Sequence, residues 1–272
     1  MGCCSSKKNV AGTYDPSCFT LCMATSNKSD YKNQHPAERY TGTKPILVVA
    51  TDEGLMEMSN RKVFNTGNHP LEMLVPMLHF RDAGFTFDIA TAHGNPVVLE
   101  MWAYPPDDEN VHAMHDEVRD MMEKPKTLED ILDLDAYSAI FIPGGHGCMI
   151  NLPSSVALGK LLNIAHERSL PTVTLCHGPS VFLSTNLEGT GKTECAYKGY
   201  KVSRGRDAAT TSRTARAILT PFPATTPPSR SSAHSCLTHV TLTPRHRVCA
   251  YSPPPHNSRC ALRIRQTLSP RP

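Results

Sequence analysis

The sequence predicts an α/β fold built on a parallel sheet with helices on both faces, and three observations carry that prediction. Ile46-Leu47-Val48-Val49-Ala50 is apolar without interruption, the pattern of a strand buried on both sides rather than one. Apolar runs of this kind alternate with segments of helical spacing, the order that builds βαβ units. The runs ending at Ile142 and Leu175 stop abruptly in turns rich in glycine, as strands do when they hand over to a loop at their carboxyl ends.

The elements follow in order. Met1-Gly2-Cys3-Cys4-Ser5-Ser6 fits the myristoylation pattern, in which Gly2 is acylated after loss of Met1. Cys3 and Cys4 are natural palmitoylation sites beside it, and Lys7-Lys8 adds attraction to anionic lipid. Two acyl signals suffice for attachment to the cytoplasmic face of a membrane, whereas a leader that merely begins Met-Gly is the alternative. Residues 9–43, rich in Ser, Thr, Asn, Lys and Tyr, lack periodicity and read as an irregular arm, so 1–43 stands apart from an ordered domain over 44–202.

Within that domain the first strand leads through a polar loop to Gly67-Asn68-His69-Pro70-Leu71-Glu72 and a helix ending at Gly84. Asn68 or His69 is expected to cap it and Pro70 to open it. Pro76 predicts a kink or a break. Phe85-Thr86-Phe87-Asp88-Ile89-Ala90 is the second strand, which closes a βαβ unit. Residues 93–136, mostly polar, read as an insertion with one or two short helices, one of them capped at Thr127. The third strand runs to Ile142, Ser154 or Ser155 opens the next helix, and the fourth strand ends at Cys176.

Charge divides the chain. Residues 1–202 carry 17 Lys and Arg against 24 Asp and Glu, whereas residues 203–272 carry 11 Arg against Asp207 alone. That last segment holds 10 of the 23 prolines and reads as a disordered basic tail. A basic arm for anionic lipid or nonspecific nucleic acid and the translation of an intron or a shifted frame are its two readings, and the abrupt change of composition favours the second. No apolar run approaches the roughly 18 residues of a membrane span. Ten cysteines in a chain this long do not make a disulfide scaffold, and without a Cys-x-x-Cys spacing they suggest no zinc site, so mostly free thiols in a reducing compartment are expected.

The chemistry centres on Cys176. Its strand ends in Cys176-His177-Gly178-Pro179, so the thiol is expected over the first turn of a following helix, where backbone N–H groups favour thiolate. A buried structural cysteine is the bland alternative. Three loops meet at the carboxyl ends of strands, where open parallel sheets bind ligands: the one carrying Glu72, the Gly144-Gly145-His146-Gly147 turn and the Cys176 turn. The N–H groups of Gly145 and His177 are placed to form an oxyanion hole. The glycines match neither a dinucleotide fingerprint nor a Walker loop, which argues against nucleotide binding.

Thr66-Gly67-Asn68-His69-Pro70-Leu71-Glu72, Phe141-Ile142-Pro143-Gly144-Gly145-His146-Gly147 and Leu175-Cys176-His177-Gly178-Pro179, in that order, resemble the PfpI superfamily with its parkinsonism-associated deglycase relatives. Within it the chain looks most like the heat-shock chaperone and glyoxalase III branch, over about residues 40–202. The resemblance implies a flavodoxin-like doubly wound sheet related to class I glutamine amidotransferases, commonly a homodimer. It implies Cys176 as nucleophile on a strained elbow, Glu72 as the carboxyl group approaching the thiol and His177 as the adjacent imidazole. The implied activity is glutathione-independent, cofactor-free conversion of methylglyoxal, a small 2-oxoaldehyde, to D-lactate (a D-lactate dehydratase), with protein deglycation and holdase chaperoning attributed to relatives.

The chain departs from that pattern in two places. Arg81 and Thr86 stand where this branch carries metal-binding His and Glu, so no metal is expected, and His79, His93, His112, His115 and His146 read as surface or loop residues. After Gly199-Tyr200-Lys201-Val202, which resembles the start of the next strand, the acid that should orient the histidine is missing, and Asp207 does not take its role. The sheet is therefore expected to be incomplete on its C-terminal side. A catalytically impaired holdase, tethered to a membrane or not, is the alternative to the enzyme.

Overall fold

The computed structural model of the protein describes residues 6, 8–32, 39–200 and 249–251. Its order is α1 (Cys18–Ala24), β1 (Ile46–Val49), β2 (Leu55–Glu57), β3 (Val63–Asn65), α2 (Pro70–Asp82), β4 (Phe87–Thr91), α3 (Glu109–Glu123), β5 (Lys126–Thr127), β6 (Ala139–Ile142), α4 (Val156–Glu167), β7 (Thr172–Leu175) and β8 (Cys249–Tyr251). Six strands form one sheet in the order β5-β4-β1-β6-β7-β8, every pair parallel. β1 lies inside it, with Ile46 opposite both Phe87 and Ala139.

Alternation along these strands explains why they read as continuous apolar runs. Ile46, Val48, Ile89 and Phe141 face one side, where Met73, Leu74, Met77 and Leu78 of α2 and Val111, Met114 and Val118 of α3 cover them. Leu47, Val49, Ile140 and Ile142 face the other, against Leu158, Leu161, Leu162 and Ala165 of α4. Both faces are dry, and each fully buried Leu, Ile or Met contributes about 2 kcal/mol, so the doubly wound arrangement is strongly specified.

Several local expectations need correction. α2 runs unbroken across Pro76, which leaves the Glu72 carbonyl without its usual donor four residues on. His69 stands at its N-cap with no side-chain hydrogen bond, because the buried Asn68 side chain joins two loops instead. Its Oδ1 accepts from Thr51 N–H, and its Nδ2 donates to the carbonyls of Thr51 and Val98. The polar loop after β1 contains the β2–β3 hairpin. Residues 93–136 are not an insertion: α3 and β5 extend the sheet with β4 as a further βαβ unit. Thr127 precedes a short 3-10 turn, Leu128–Asp130, without capping it. Ser155 does cap α4, accepting from Leu158 N–H at 3.2 Å.

The arm before residue 44 is ordered where it is described. Ser17 caps α1, and Tyr14 bridges in parallel to Phe64 of β3. On the C-terminal side, 196–199 form a turn rather than a strand, and Cys249–Tyr251 supplies β8 beside β7, within the segment whose sequence shows no strand period. Gly2, Cys3, Cys4, Lys201, Val202 and Asp207 lie outside the described residues. Among the described residues no single helix is long and apolar enough to cross a membrane.

Candidate active site

β7 delivers Cys176 to a turn in which the residue holds φ +49, the left-handed region that a side chain other than glycine seldom occupies. The strain falls at the residue where the resemblance places its elbow. The chain continues into a 3-10 helix, Gly178–Asn186, with His177 at its N-cap and Pro179 in its first turn. Cys176 Sγ lies 3.1 Å from His177 Nδ1. The Cys176 residue is exposed on one side, while on the other it is crowded by protein.

Glu72, in the first turn of α2, comes to the same point from across the sheet. Gly144 separates the two only because it has no side chain: a β-carbon there would stand 2.6 Å from the Cys176 Cβ and collide with Glu72 Oε2. Burial drives the Glu72 carboxyl up, and the neighbouring His69 offsets this only in part. Its Oε2 is buried without a hydrogen-bond partner. Burial, and then the Glu72 carboxylate, likewise push the Cys176 thiol well above the ordinary thiol range, although its open side moderates the effect. The Cys176 thiol is thus harder to ionise than a free thiol, against the expectation of a thiolate stabilised by a helix terminus. A one-sided 3-10 start cannot outweigh a carboxylate beside the sulfur.

Gly145 takes φ +106, and its N–H faces the Cys176 sulfur, working against those upward pushes. The buried Cys148 thiol donates to the Gly145 carbonyl at 3.1 Å, which fixes the orientation of that peptide. Burial, reinforced by His146, lowers His177 to about 4, so its imidazole is neutral at ordinary pH.

Two residues of the site escape sequence reasoning. His146, expected on the surface, is partly buried with its ring centroid 4.5 Å from that of His177. Glu100, in the 93–136 segment, is buried and accepts from Thr66 Oγ1 at 2.8 Å and His146 N–H at 3.1 Å, with His146 Nδ1 3.0 Å from the same oxygen. Burial would raise the Glu100 carboxyl, but the His146 and Thr66 contacts outweigh it and hold it below the ordinary range. The Gly-Gly-His-Gly turn offered a local signal for His146, but nothing in the surrounding residues marked Glu100. Phe64 of β3 packs edge-on against the His146 ring.

The metal positions of the branch do not fit a metal here: Arg81 is paired with Glu117 at 2.7 Å. Among the described residues Asp52, Glu53 and His93 bring donor atoms within 4.8 Å of one another. Asp52 is already engaged, with Oδ2 accepting from His93 N–H and Oδ1 from Asn151 Nδ2. Cys18, Cys22, Cys148 and Cys176 are free thiols, and Cys195 is disulfide-bonded.

Residues 63–214 match the DJ-1/PfpI family. A protein/nucleic acid deglycase HchA of Pseudomonas aeruginosa is 40% identical over 198 residues, which is 71% of this chain and 68% of that protein. The protein of the same name from Staphylococcus aureus is 37% identical over 194 residues, 69% of this chain and 65% of the relative. The crystal structure of glyoxalase III from Candida albicans aligns with a TM-score of 0.51 at 19% identity, covering 77% of this chain and 83% of that one, a likeness of fold. With the flavodoxin-like sheet in place and more than half its length matched, the chain belongs to the DJ-1/PfpI family.

Proposed function

We propose that this protein is a cysteine-dependent enzyme of the deglycase and glyoxalase type, acting on 2-oxoaldehydes such as methylglyoxal and on their early adducts. The observation that carries the reading is Cys176 held at φ +49 with its sulfur 3.1 Å from His177 Nδ1 and Glu72 buried beside it. The strain is of order 1–2 kcal/mol, a cost that a merely structural cysteine gives no reason to retain.

In this reading the Cys176 sulfur attacks the aldehyde carbon as its proton passes to Glu72 or to His177 Nδ1, the two acceptors beside it. The S–C bond forms, and the carbonyl π pair moves to an oxygen facing the N–H groups of Gly145 and His177. His177 or Glu72 then moves the proton of that carbon to its neighbour through an enediolate. The aldehyde carbon is oxidised to a thioester as the adjacent carbonyl is reduced to an alcohol, so no external oxidant or cofactor enters. Water cleaves the thioester to the hydroxy acid, D-lactate from methylglyoxal, and restores the thiol. An early adduct on a protein or nucleobase amine presents the same carbon, so the activity named for the bacterial relatives uses the same nucleophile.

The test is methylglyoxal consumption with stereospecific lactate assay, and release of free amine together with lactate from a glycated peptide. Wild type is expected to turn over and Cys176→Ser to lose at least about 10³-fold. Equal rates in the two would overturn the reading, and holdase activity retained without turnover would favour the chaperone alternative.

A further inference from the structure

We propose that His146, oriented by the buried carboxylate of Glu100, is the second imidazole of this reaction, the acid that protonates the substrate's second carbonyl oxygen. The inference deepens the function proposed above and rests on it. Its ground is the packing of four side chains in one line of contact: Glu100 against His146 Nδ1 at 3.0 Å, the His146 ring 4.5 Å from the His177 ring, and His177 Nδ1 3.1 Å from the Cys176 sulfur.

The two imidazoles differ in what surrounds them. His177 has the thiol on Nδ1 and, among the described residues, no carboxylate hydrogen-bonded to it, and it stays neutral. His146 has a fixed negative charge on Nδ1, in a carboxylate that takes three donors on Oε1 and has no partner for its buried Oε2. A buried carboxylate so placed orients the ring and holds a proton at Nδ1, which leaves Nε2 as the working nitrogen. The ring keeps about a quarter of its side-chain surface open, on a turn whose Gly145 N–H faces the sulfur. Among the described residues, Glu72, His69, Cys148 and Cys176 also interact electrostatically with the groups of this cluster.

The proton balance closes within the site. The acceptor on the Cys176 side first passes the thiol proton to the oxyanion, giving the hemithioacetal hydroxyl; freed in this way, the base removes the C–H proton, and that electron pair forms the C=C bond of the enediol. The second carbonyl oxygen takes the Nε2 proton of His146, and this hydrogen stays as the product hydroxyl. When the thioester forms, the base returns its proton to the second carbon, and the hydroxyl on the first carbon gives its own proton back to His146 Nε2. No redox partner is required.

The experiment compares the steady-state kinetics of full-length wild type, Cys176→Ser, Glu100→Gln, Glu100→Asp, His146→Gln and the double Glu100→Gln/His146→Gln variant. His146→Gln and Glu100→Gln are each expected to lower kcat about 10²-fold with KM within about threefold, and the double variant to be no worse than either. Glu100→Asp, which keeps the charge, is expected to recover about tenfold of the kcat lost in Glu100→Gln with KM unchanged, a split that loss of packing alone would not produce. Glu100 is thereby tested as a positioning residue. His146→Gln, on a partly exposed ring, keeps the test open if Glu100→Gln fails to fold. A wild type that turns over and dies with Cys176→Ser, yet whose His146→Gln variant keeps kcat within about threefold, overturns this inference and leaves the function standing. Equal rates in wild type and Cys176→Ser overturn the function itself, and a Glu100→Gln variant that keeps kcat within about threefold overturns the pair.

Discussion

At the scale of single residues the site is governed by one close approach. Glu72 and Cys176 meet because position 144 has no β-carbon; the Glu72 carboxylate makes ionisation of the thiol harder, whereas the thiol contact eases ionisation of the carboxyl against its burial. The two must therefore titrate together: the carboxyl loses its proton first, and the thiol then ionises against a neighbouring negative charge. Glu72→Gln keeps the volume and removes the charge. The pH midpoint for alkylation of Cys176 by iodoacetamide is expected to fall by about one unit in this variant, while turnover falls with loss of the proton acceptor. An unmoved midpoint would mean that burial alone sets the thiol. Gly144→Ala tests the geometry rather than the charge, because the added carbon must displace either Glu72 or the elbow; turnover is expected to drop about 10²-fold or more while the chain still folds. A variant as fast as wild type would show that the approach is loose.

At the scale of elements, the N-terminal arm is held to the body by Asp108. Its Oδ1 accepts from Val111 N–H and caps α3, while its Oδ2 accepts from Ser29 N–H in the arm at 2.6 Å. Tyr31 adds a hydrogen bond to Asp82 at the end of α2. Asp108→Ala removes a cap, worth about 1 kcal/mol, and a charge-assisted bond of about 1.5–3 kcal/mol. Urea denaturation is expected to show a loss of about 2–4 kcal/mol, with new proteolytic cleavage before residue 44; Asp108→Asn, which can still accept one bond, should lose about half as much. Equal stability of all three would mean that the arm is not coupled to α3. Neither the arm's α1 nor β2, β3 and β5 was legible in the sequence, for one physical reason. Two- and three-residue strands containing Glu57, Asn65, Lys126 or Thr127 bury too little to leave a period, and their pairing depends on a neighbour already in place. β1, β6, β7, α2 and α4 were legible because they bury whole faces.

At the scale of the molecule the same division holds. The Cys176 elbow, Glu72 and the Gly144-Gly145 turn could be read because each carries a local signature, a strand ending in glycine or a helix opening with proline. Glu100 and His146 could not, since a polar segment and a glycine turn gain their meaning only when the sheet brings them together. That convergence of titratable groups in one partly dry place sets how the whole fold responds to acid. His177 titrates near 4 when folded against an ordinary value of 6.5, so from pH 6.5 down to about 4 the unfolded chain binds a proton that the folded chain refuses. Stability due to this group is thus complete above pH 6.5 and lost as the pH falls towards 4, by at most about 3 kcal/mol. His79 and His115, also lowered by burial, act in the same direction. Glu100, lowered by its His146 and Thr66 contacts, extends the loss to still lower pH, whereas the raised Glu72 opposes it. His177→Asn isolates one contribution from these. Urea midpoints measured from pH 7 to pH 4.5 are expected to fall less steeply in the variant, so that its stability relative to wild type improves by roughly 2–3 kcal/mol across the window. Parallel curves for the two proteins would mean that His177 takes up its proton as readily in the fold as in the open chain, and that the imidazole beside the thiol is not the neutral group on which the chemistry depends.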